Sequence, residues 1–125
     1  MELSKVIAHF LPAGIVLQYF LGGILSADLI KRGGFSILGW HMIWGIILGL
    51  FSLTLLVLVR RKKMHQAYKT AIITFALLAV TVGLGFVTMT SPFSAKPYLG
   101  IFHQVLASIL FGATSLTLYT TRRGI

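Results

Sequence analysis

The sequence predicts an all-α membrane protein, a four-helix transmembrane bundle with up-down topology. Of its 125 residues 57% are hydrophobic and only 10% are charged, which leaves too few charges to cover the surface of a soluble domain. Four uncharged stretches each exceed the roughly 18–20 residues that a helix needs to cross about 30 Å of hydrocarbon. These stretches are 6–27, 33–59, 70–95 and 97–121.

The helices account for nearly the whole chain, 1–125, as a single domain. Lys5 precedes the first apolar run as in a signal peptide, but the run is long and no Ala-x-Ala cleavage site follows, so we interpret it as a membrane span. The second helix ends before Arg60, and the basic stretch 60–69 is expected to be a solvated loop ahead of the third. The fourth lies between Lys96 and Arg122. The expected helices are 7–27, 36–59, 70–90 and 98–120.

Basic residues lie at the ends of these helices and form no patch on a folded surface, so the net charge of +9 does not indicate nucleic-acid binding. An up-down topology puts eight of them at the end with both termini: Lys5, Arg60, Arg61, Lys62, Lys63, Lys69, Arg122 and Arg123. Three lie at the other end: Lys31, Arg32 and Lys96. The positive-inside rule then predicts a multi-pass protein of the cytoplasmic (inner) membrane with both termini in the cytoplasm.

The residue types exclude several chemistries. The sequence has no cysteine, which rules out disulfides, thiolate metal sites, iron–sulfur clusters and covalently attached haem. The only side-chain carboxylates are those of Glu2 and Asp28, so catalysis by paired carboxylates within the membrane is excluded as well. No catalytic residue is assigned.

An internal repeat appears when the sequence is shifted by 62 residues against itself. The shift aligns His41 with His103, Trp40 with Phe102, Gly45 with Ala107, Gly23 with Gly85, and Arg60-Arg61 with Arg122-Arg123. The chain is therefore interpreted as a duplicated two-helix hairpin with repeat units near 1–62 and 63–125.

The repeat sets the depth of two histidines, His41 and His103. Each lies 19 residues before its arginine pair. That separation is roughly 28 Å of helix, which places both rings at one level near the outer edge of the hydrocarbon. The second and fourth helices of an up-down bundle are diagonal neighbours, with axes roughly 11–14 Å apart. This gap suits a planar macrocycle with one imidazole on each face, and non-covalent haem b is the expected cofactor.

Other residues are assigned to the haem pocket by position. Gly45 and Ala107 follow the histidines by one turn and leave room for a flat ligand, although small residues also pack helices. Four aromatic residues are expected either to wall the pocket or to form the interfacial belt: Trp40, Trp44, Tyr98 and Phe102. Three basic residues are expected either to pair with haem propionates or to face water: Lys31, Arg32 and Lys96.

The remaining polar residues are given structural roles. His9 and His65 are interpreted as non-ligands, because neither shares its level with a second histidine inside a helix. Gln18 is expected to bridge helices. Asp28 is expected to neutralise Lys31 or Arg32, or to orient a ligand imidazole. Interhelical hydrogen bonding and a quinone or proton role stay open as alternatives for the histidine pair.

The segment "TVGLGFVTMTSPFSAKPYLGIFHQVLASILFGATSLTLY" resembles the closing helix pair of a heme A synthase half, and "LQYFLGGIL" is similar to the Gln-x-x-x-Gly helix of that family. Those enzymes have two four-helix halves with histidines on the second and fourth helices, which His41 and His103 match. The resemblance covers essentially the whole chain. Leu38 and Met42 stand where the catalytic half has a glutamate and an arginine, so the resemblance implies the half that holds haem b.

The sequence thus favours a b-type cytochrome-like protein with one bis-histidine haem for electron transfer, alone or as a small subunit of a respiratory complex. Two imidazole ligands leave iron no open site for oxygen. One alternative is a half-size heme A synthase-like enzyme acting on haem, and another is a haem-free accessory subunit. The expected partners are the lipid bilayer, haem, and either respiratory subunits or a second copy of the chain, with quinone as a further candidate.

Overall fold

The computed structural model describes residues 2–26, 34–92 and 94–125. This part of the chain forms four helices, each long and apolar enough to cross a membrane. They are α1 (Leu3–Ser26), α2 (Gly34–Arg61), α3 (His65–Thr90) and α4 (Lys96–Arg123). The predicted fold class, an all-α multi-pass bundle, is confirmed.

The helices extend beyond the uncharged stretches. The loop expected at 60–69 is wrong, because α2 continues through Arg61 and α3 already begins at His65, so that 62–64 alone connect them. Long basic side chains can reach the polar boundary from a helical backbone, and a charged residue therefore does not mark the end of a helix. The change from apolar to charged residues therefore does not coincide with the turn between α2 and α3.

The short α2–α3 connection turns at Lys63, which has a φ of 56°. Its backbone N–H donates to the Arg60 carbonyl and the N–H of Met64 donates to the Val59 carbonyl, both at 3.1 Å. This is the pattern of a Schellman C-cap, whose left-handed residue is usually glycine. The apolar side chain of Met64 is buried behind the cap.

Lys63→Gly is expected to stabilise the bundle by about 1 kcal/mol, since a Cβ is unfavourable at a left-handed position. Unfolding by sodium dodecyl sulfate in mixed micelles, followed by circular dichroism, measures the change. Lys62→Gly, one residue earlier, serves as the control and should destabilise. A loss of stability in Lys63→Gly would contradict this account of the turn.

Helix packing places α2 and α4 on one diagonal of the bundle. Helix α1 packs against α2 and α4, and α3 packs against the same two helices. The inward stripe of α2 repeats every three and four residues, at His41, Gly45, Leu48, Ser52, Leu55 and Val59. This heptad spacing is typical of left-handed bundles with small crossing angles. His41 therefore lies on the core-facing stripe of α2, and His103 occupies the equivalent position of α4.

The two hairpins match at the level of buried positions. The buried residues of α2 at 48, 52, 55 and 59 correspond to those of α4 at 110, 114, 117 and 121, a shift of 62. Five buried residues of α1 correspond to buried residues of α3 at a shift of 63, namely 4, 7, 8, 11 and 15 to 67, 70, 71, 74 and 78. The counterpart of Gly85 is therefore Gly22 and not Gly23. The first hairpin has one more residue than the second between the buried positions of its two helices.

Threonines set the second hairpin apart from the first. Thr70 shares a hydrogen bond with Thr120 at 3.0 Å, and Thr74 shares one with Thr117 at 2.9 Å. The counterpart of Thr74 in the first hairpin is Leu11. Hydroxyl pairs of this kind join helices in an apolar setting at modest strength. The interface between α3 and α4 thus contains hydroxyl pairs at positions where the interface between α1 and α2 has the apolar residues Leu11 and Leu55.

Candidate functional site

His41 and His103 face each other across the bundle. Each is the eighth residue of a 28-residue helix, α2 or α4. The ring centroids are 6.2 Å apart and the ring planes are inclined at 58°. Both side chains are half-buried, so two polar rings meet in an otherwise apolar interior.

Each ring lies against a glycine of the preceding helix. A Cβ built on Gly22 of α1 would come within 3.2 Å of His41 Cε1, and one built on Gly85 of α3 within 3.1 Å of His103 Cε1. A side chain at either position would have to displace the ring. Aligning the two halves of the sequence at a shift of 62 residues did not pair these two glycines. Aligning the buried positions of α1 and α3 at a shift of 63 residues pairs them.

Gln18 connects α1 to His41. Its amide Nε2 donates to the backbone carbonyl of His41 at 3.0 Å and lies 3.2 Å from the ring Nε2. The predicted helix-bridging role of Gln18 is confirmed. Its counterpart in α3 is Thr81, whose hydroxyl donates to the Leu77 carbonyl of its own helix at 2.7 Å. The two histidines therefore differ in their polar surroundings.

Three polar atoms of this cluster are buried without a hydrogen-bond partner. They are Nδ1 of His41, Nδ1 of His103 and Oε1 of Gln18. Buried polar groups in proteins are nearly always paired, so a concentration of unpaired atoms marks a place where a ligand or water completes the structure.

The geometry of the pair suits two imidazoles on one metal. A metal–nitrogen bond of about 2 Å, with the nitrogen about 1.1 Å from its ring centre, allows two imidazoles that bind one metal to have centroids up to about 6 Å apart. The distance found is 6.2 Å. In the part of the chain that the structure describes, no group of three metal-ligating side chains occurs. The pair therefore supplies two imidazoles and no third ligating side chain among the described residues.

Gly45 and Ala107 lie on the same inward stripes as the histidines. A Cβ on Gly45 would meet Gln18 Nε2 at 3.4 Å and Val82 at 3.8 Å, so this glycine faces the interior one turn below His41. Ala107 is half-buried and lines a mostly apolar groove between α1 and α4, with residues that include Tyr19 and Phe111. Of Gly45 and Ala107, only Gly45 lies next to the cluster formed by Gln18, His41 and His103.

The predicted aromatic wall is not formed by Trp40 or Phe102. Both side chains are 64% exposed on the outer surface of the bundle, as is Tyr98 at 71%. A residue that immediately precedes an inward histidine is rotated by about 100° around the helix, which carries it toward lipid. Trp44 alone points inward, where its Nε1 donates to the Gly14 carbonyl at 2.9 Å.

The remaining predicted residues lie away from the pair. Lys96 is exposed at the first residue of α4, on the same end of the bundle as the histidines. Lys31, Arg32 and Asp28 lie outside the described residues. His9 is exposed and its Nδ1 donates to the Lys5 carbonyl at 2.6 Å, and His65 is exposed at the start of α3.

The chain matches no protein-family model, no curated protein and no solved structure. Its function is therefore inferred from the histidine pair and the residues in contact with it.

Proposed function

We propose that the protein is a membrane-embedded b-type cytochrome-like electron carrier in which His41 and His103 ligate a single haem b. The observation that carries the proposal is the pair of facing rings with centroids 6.2 Å apart, contributed by two diagonal helices. Each ring also carries a buried Nδ1 without a hydrogen-bond partner, a polar atom that a bound group could engage.

The glycines fit a planar group at this position. Helices α1 and α3 each pack against both α2 and α4, the helices that carry the two rings. The residues of those helices that lie against the rings are Gly22 and Gly85. Small residues at membrane helix contacts allow close approach of flat groups and of neighbouring backbones. The donor set and its surroundings are thus compatible with haem.

The residues around the pair would have distinct roles in an electron carrier. Haem b would supply one-electron redox chemistry, with His41 and His103 holding its iron. Gln18 would restrain His41 through its hydrogen bond to the backbone carbonyl, and its amide lies 3.2 Å from the ring Nε2, which leaves Nδ1 as the ring nitrogen without a partner. Electron transfer, alone or within a respiratory complex, follows as the proposed role.

A haem-free structural role is the second candidate, and one contact favours it. The Gln18 amide already occupies the vicinity of His41 Nε2, as expected of a histidine that ties α1 to α2. A reaction on haem is not favoured by the residues next to the site. Leu38 is half-buried one turn before His41, and Met42 is exposed on the outer surface, so neither position offers an ionisable group.

Optical spectra of the detergent-purified protein, oxidised and dithionite-reduced, test the proposal. After expression with haem precursor, the protein is expected to show the sharp reduced bands of low-spin, six-coordinate haem at about one haem per chain. A protein that folds as a helical bundle and stays colourless after haem titration would support the structural role instead.

The proposed orientation places both termini in the cytoplasm, because most basic residues lie at the same end of the bundle as the termini. Ser94 and Gln66 are exposed at opposite ends of the bundle, and the chain has no cysteine of its own. In spheroplasts, Ser94→Cys is expected to react with a membrane-impermeant maleimide and Gln66→Cys only after lysis. Labelling of Gln66→Cys alone in intact spheroplasts would reverse the orientation.

A further inference from the structure

A groove runs along the outer face of α4 at the end of the bundle that carries both termini. We call it the α4 groove, and it is lined by Ser115, Leu118, Tyr119, Arg122 and Arg123. Spacings of three and four residues put its members on one helix face. The groove passes from an apolar part around Leu118 to a cationic rim at the helix end.

The cationic rim is preorganised. The guanidinium carbon of Arg123 lies 4.7 Å from the centroid of the Tyr119 ring, a cation–π contact that orients the side chain and leaves its N–H donors available. Neither Arg122 nor Arg123 has a carboxylate partner in the described part of the chain. The acid nearest the N-terminus, Glu2, pairs with Lys62.

The end of α4 is also fixed in place. Gly124 closes the helix in the left-handed conformation, and the carbonyl of Ile125 accepts a hydrogen bond from the Ala67 N–H of α3 at 2.7 Å. The backbone that carries the two arginines is therefore part of the packed bundle and does not belong to a freely moving tail. A ligand at this rim would itself lie in that boundary.

We propose that the α4 groove binds one anionic phospholipid, with its phosphate between Arg122 and Arg123 and an acyl chain along Leu118. Guanidinium groups pair with phosphate oxygens through two N–H donors at once, and basic sites at the membrane surface attract acidic headgroups. The apolar part of the groove distinguishes this ligand from free phosphate. The proposal is independent of haem binding.

The repeat supplies a matched control. Arg60 and Arg61 are the counterparts of the α4 arginines at the end of α2, with the same charge and the same level. Val57 stands there in place of Tyr119, so the aromatic partner of the second arginine is missing. General attraction of anionic lipid to the basic end would act on both arginine pairs alike.

Native mass spectrometry in a neutral detergent measures binding of the first molecule of dioleoyl phosphatidylglycerol. Arg122→Gln/Arg123→Gln is expected to weaken it by about fivefold or more, and Arg60→Gln/Arg61→Gln by less than about twofold. Tyr119→Leu, which keeps every charge, should give an intermediate loss. Inorganic phosphate at millimolar concentration should not displace the lipid.

Three results would overturn the proposal. Equal weakening by both arginine pairs would show general charge attraction only. An unchanged affinity in the α4 double variant and in Tyr119→Leu would show that the groove is not used. Displacement of the lipid by inorganic phosphate would assign the site to the anion without its chain. Circular dichroism and size exclusion establish that each variant is folded before its affinity is compared.

Discussion

Replacing either His41 or His103 by alanine is expected to lower haem occupancy by about tenfold or more and to remove the low-spin spectrum of any haem that remains. Each ring supplies one of only two protein ligands in the proposed site, and no third candidate lies within the cluster among the described residues. The measurement is the pyridine haemochrome assay per folded protein, together with spectra of the oxidised and reduced states.

The other two histidines provide the controls. His9→Ala and His65→Ala remove exposed rings far from the pair and should leave the spectrum unchanged. A full six-coordinate spectrum in His41→Ala or His103→Ala would show that the removed ring is not a ligand. If instead both variants lose stability while the parent never binds haem, the histidines serve to join helices.

Gly22→Leu and Gly85→Leu are expected to eliminate most haem binding while the bundle still inserts. A Cβ alone would come within 3.2 Å and 3.1 Å of the histidine rings, so the ring must already shift by a few tenths of an ångström, and the branched side chain of leucine requires a larger shift. Overpacking of this kind typically costs about 1–3 kcal/mol, and here the cost falls on the orientation of a ligand. Haem per folded protein is again the measurement.

Neighbouring glycines offer matched controls for the two helices. A Cβ on Gly23 of α1 or on Gly83 of α3 would meet nothing within 4 Å, so leucine at either position should retain haem. Equal haem loss in Gly23→Leu and Gly22→Leu would mean that the effect reflects general damage to α1. Unchanged occupancy in both Gly22→Leu and Gly85→Leu would remove these glycines from the pocket.

The sequence predicts the fold well because its strongest signals extend over long segments of the chain. Four uncharged stretches separated by basic residues are enough to count the helices, and the repeat is enough to put His41 and His103 at matching positions. The inward direction of both rings follows from the heptad stripes of α2 and α4. The face-to-face approach of the rings needed the structure, because it depends on how far each helix is rotated about its axis.

Features set by local geometry were not predictable in the same way. Aromatic residues near a helix end suit both a pocket and the interfacial belt, and Trp40 and Phe102 lie on the outer surface. The sequence alignment did not identify Gly22, because the two hairpins differ in length by one residue. Helices α2 and α4 correspond at a shift of 62 residues, whereas α1 and α3 correspond at a shift of 63. The threonine pairs between α3 and α4 were missed because threonine in a membrane helix carries no strong pattern unless its heptad spacing is examined.

The central claim, that both histidines bind the same iron, is tested most directly by electron paramagnetic resonance of the oxidised, haem-loaded protein labelled with [15N]histidine. The account predicts a low-spin ferric signal with hyperfine couplings to two histidines in the parent protein. A five-coordinate His41→Ala or His103→Ala variant that retains haem should instead give a high-spin signal with coupling to one histidine. A high-spin signal in the parent protein, or coupling to fewer than two histidines, would contradict bis-histidine ligation.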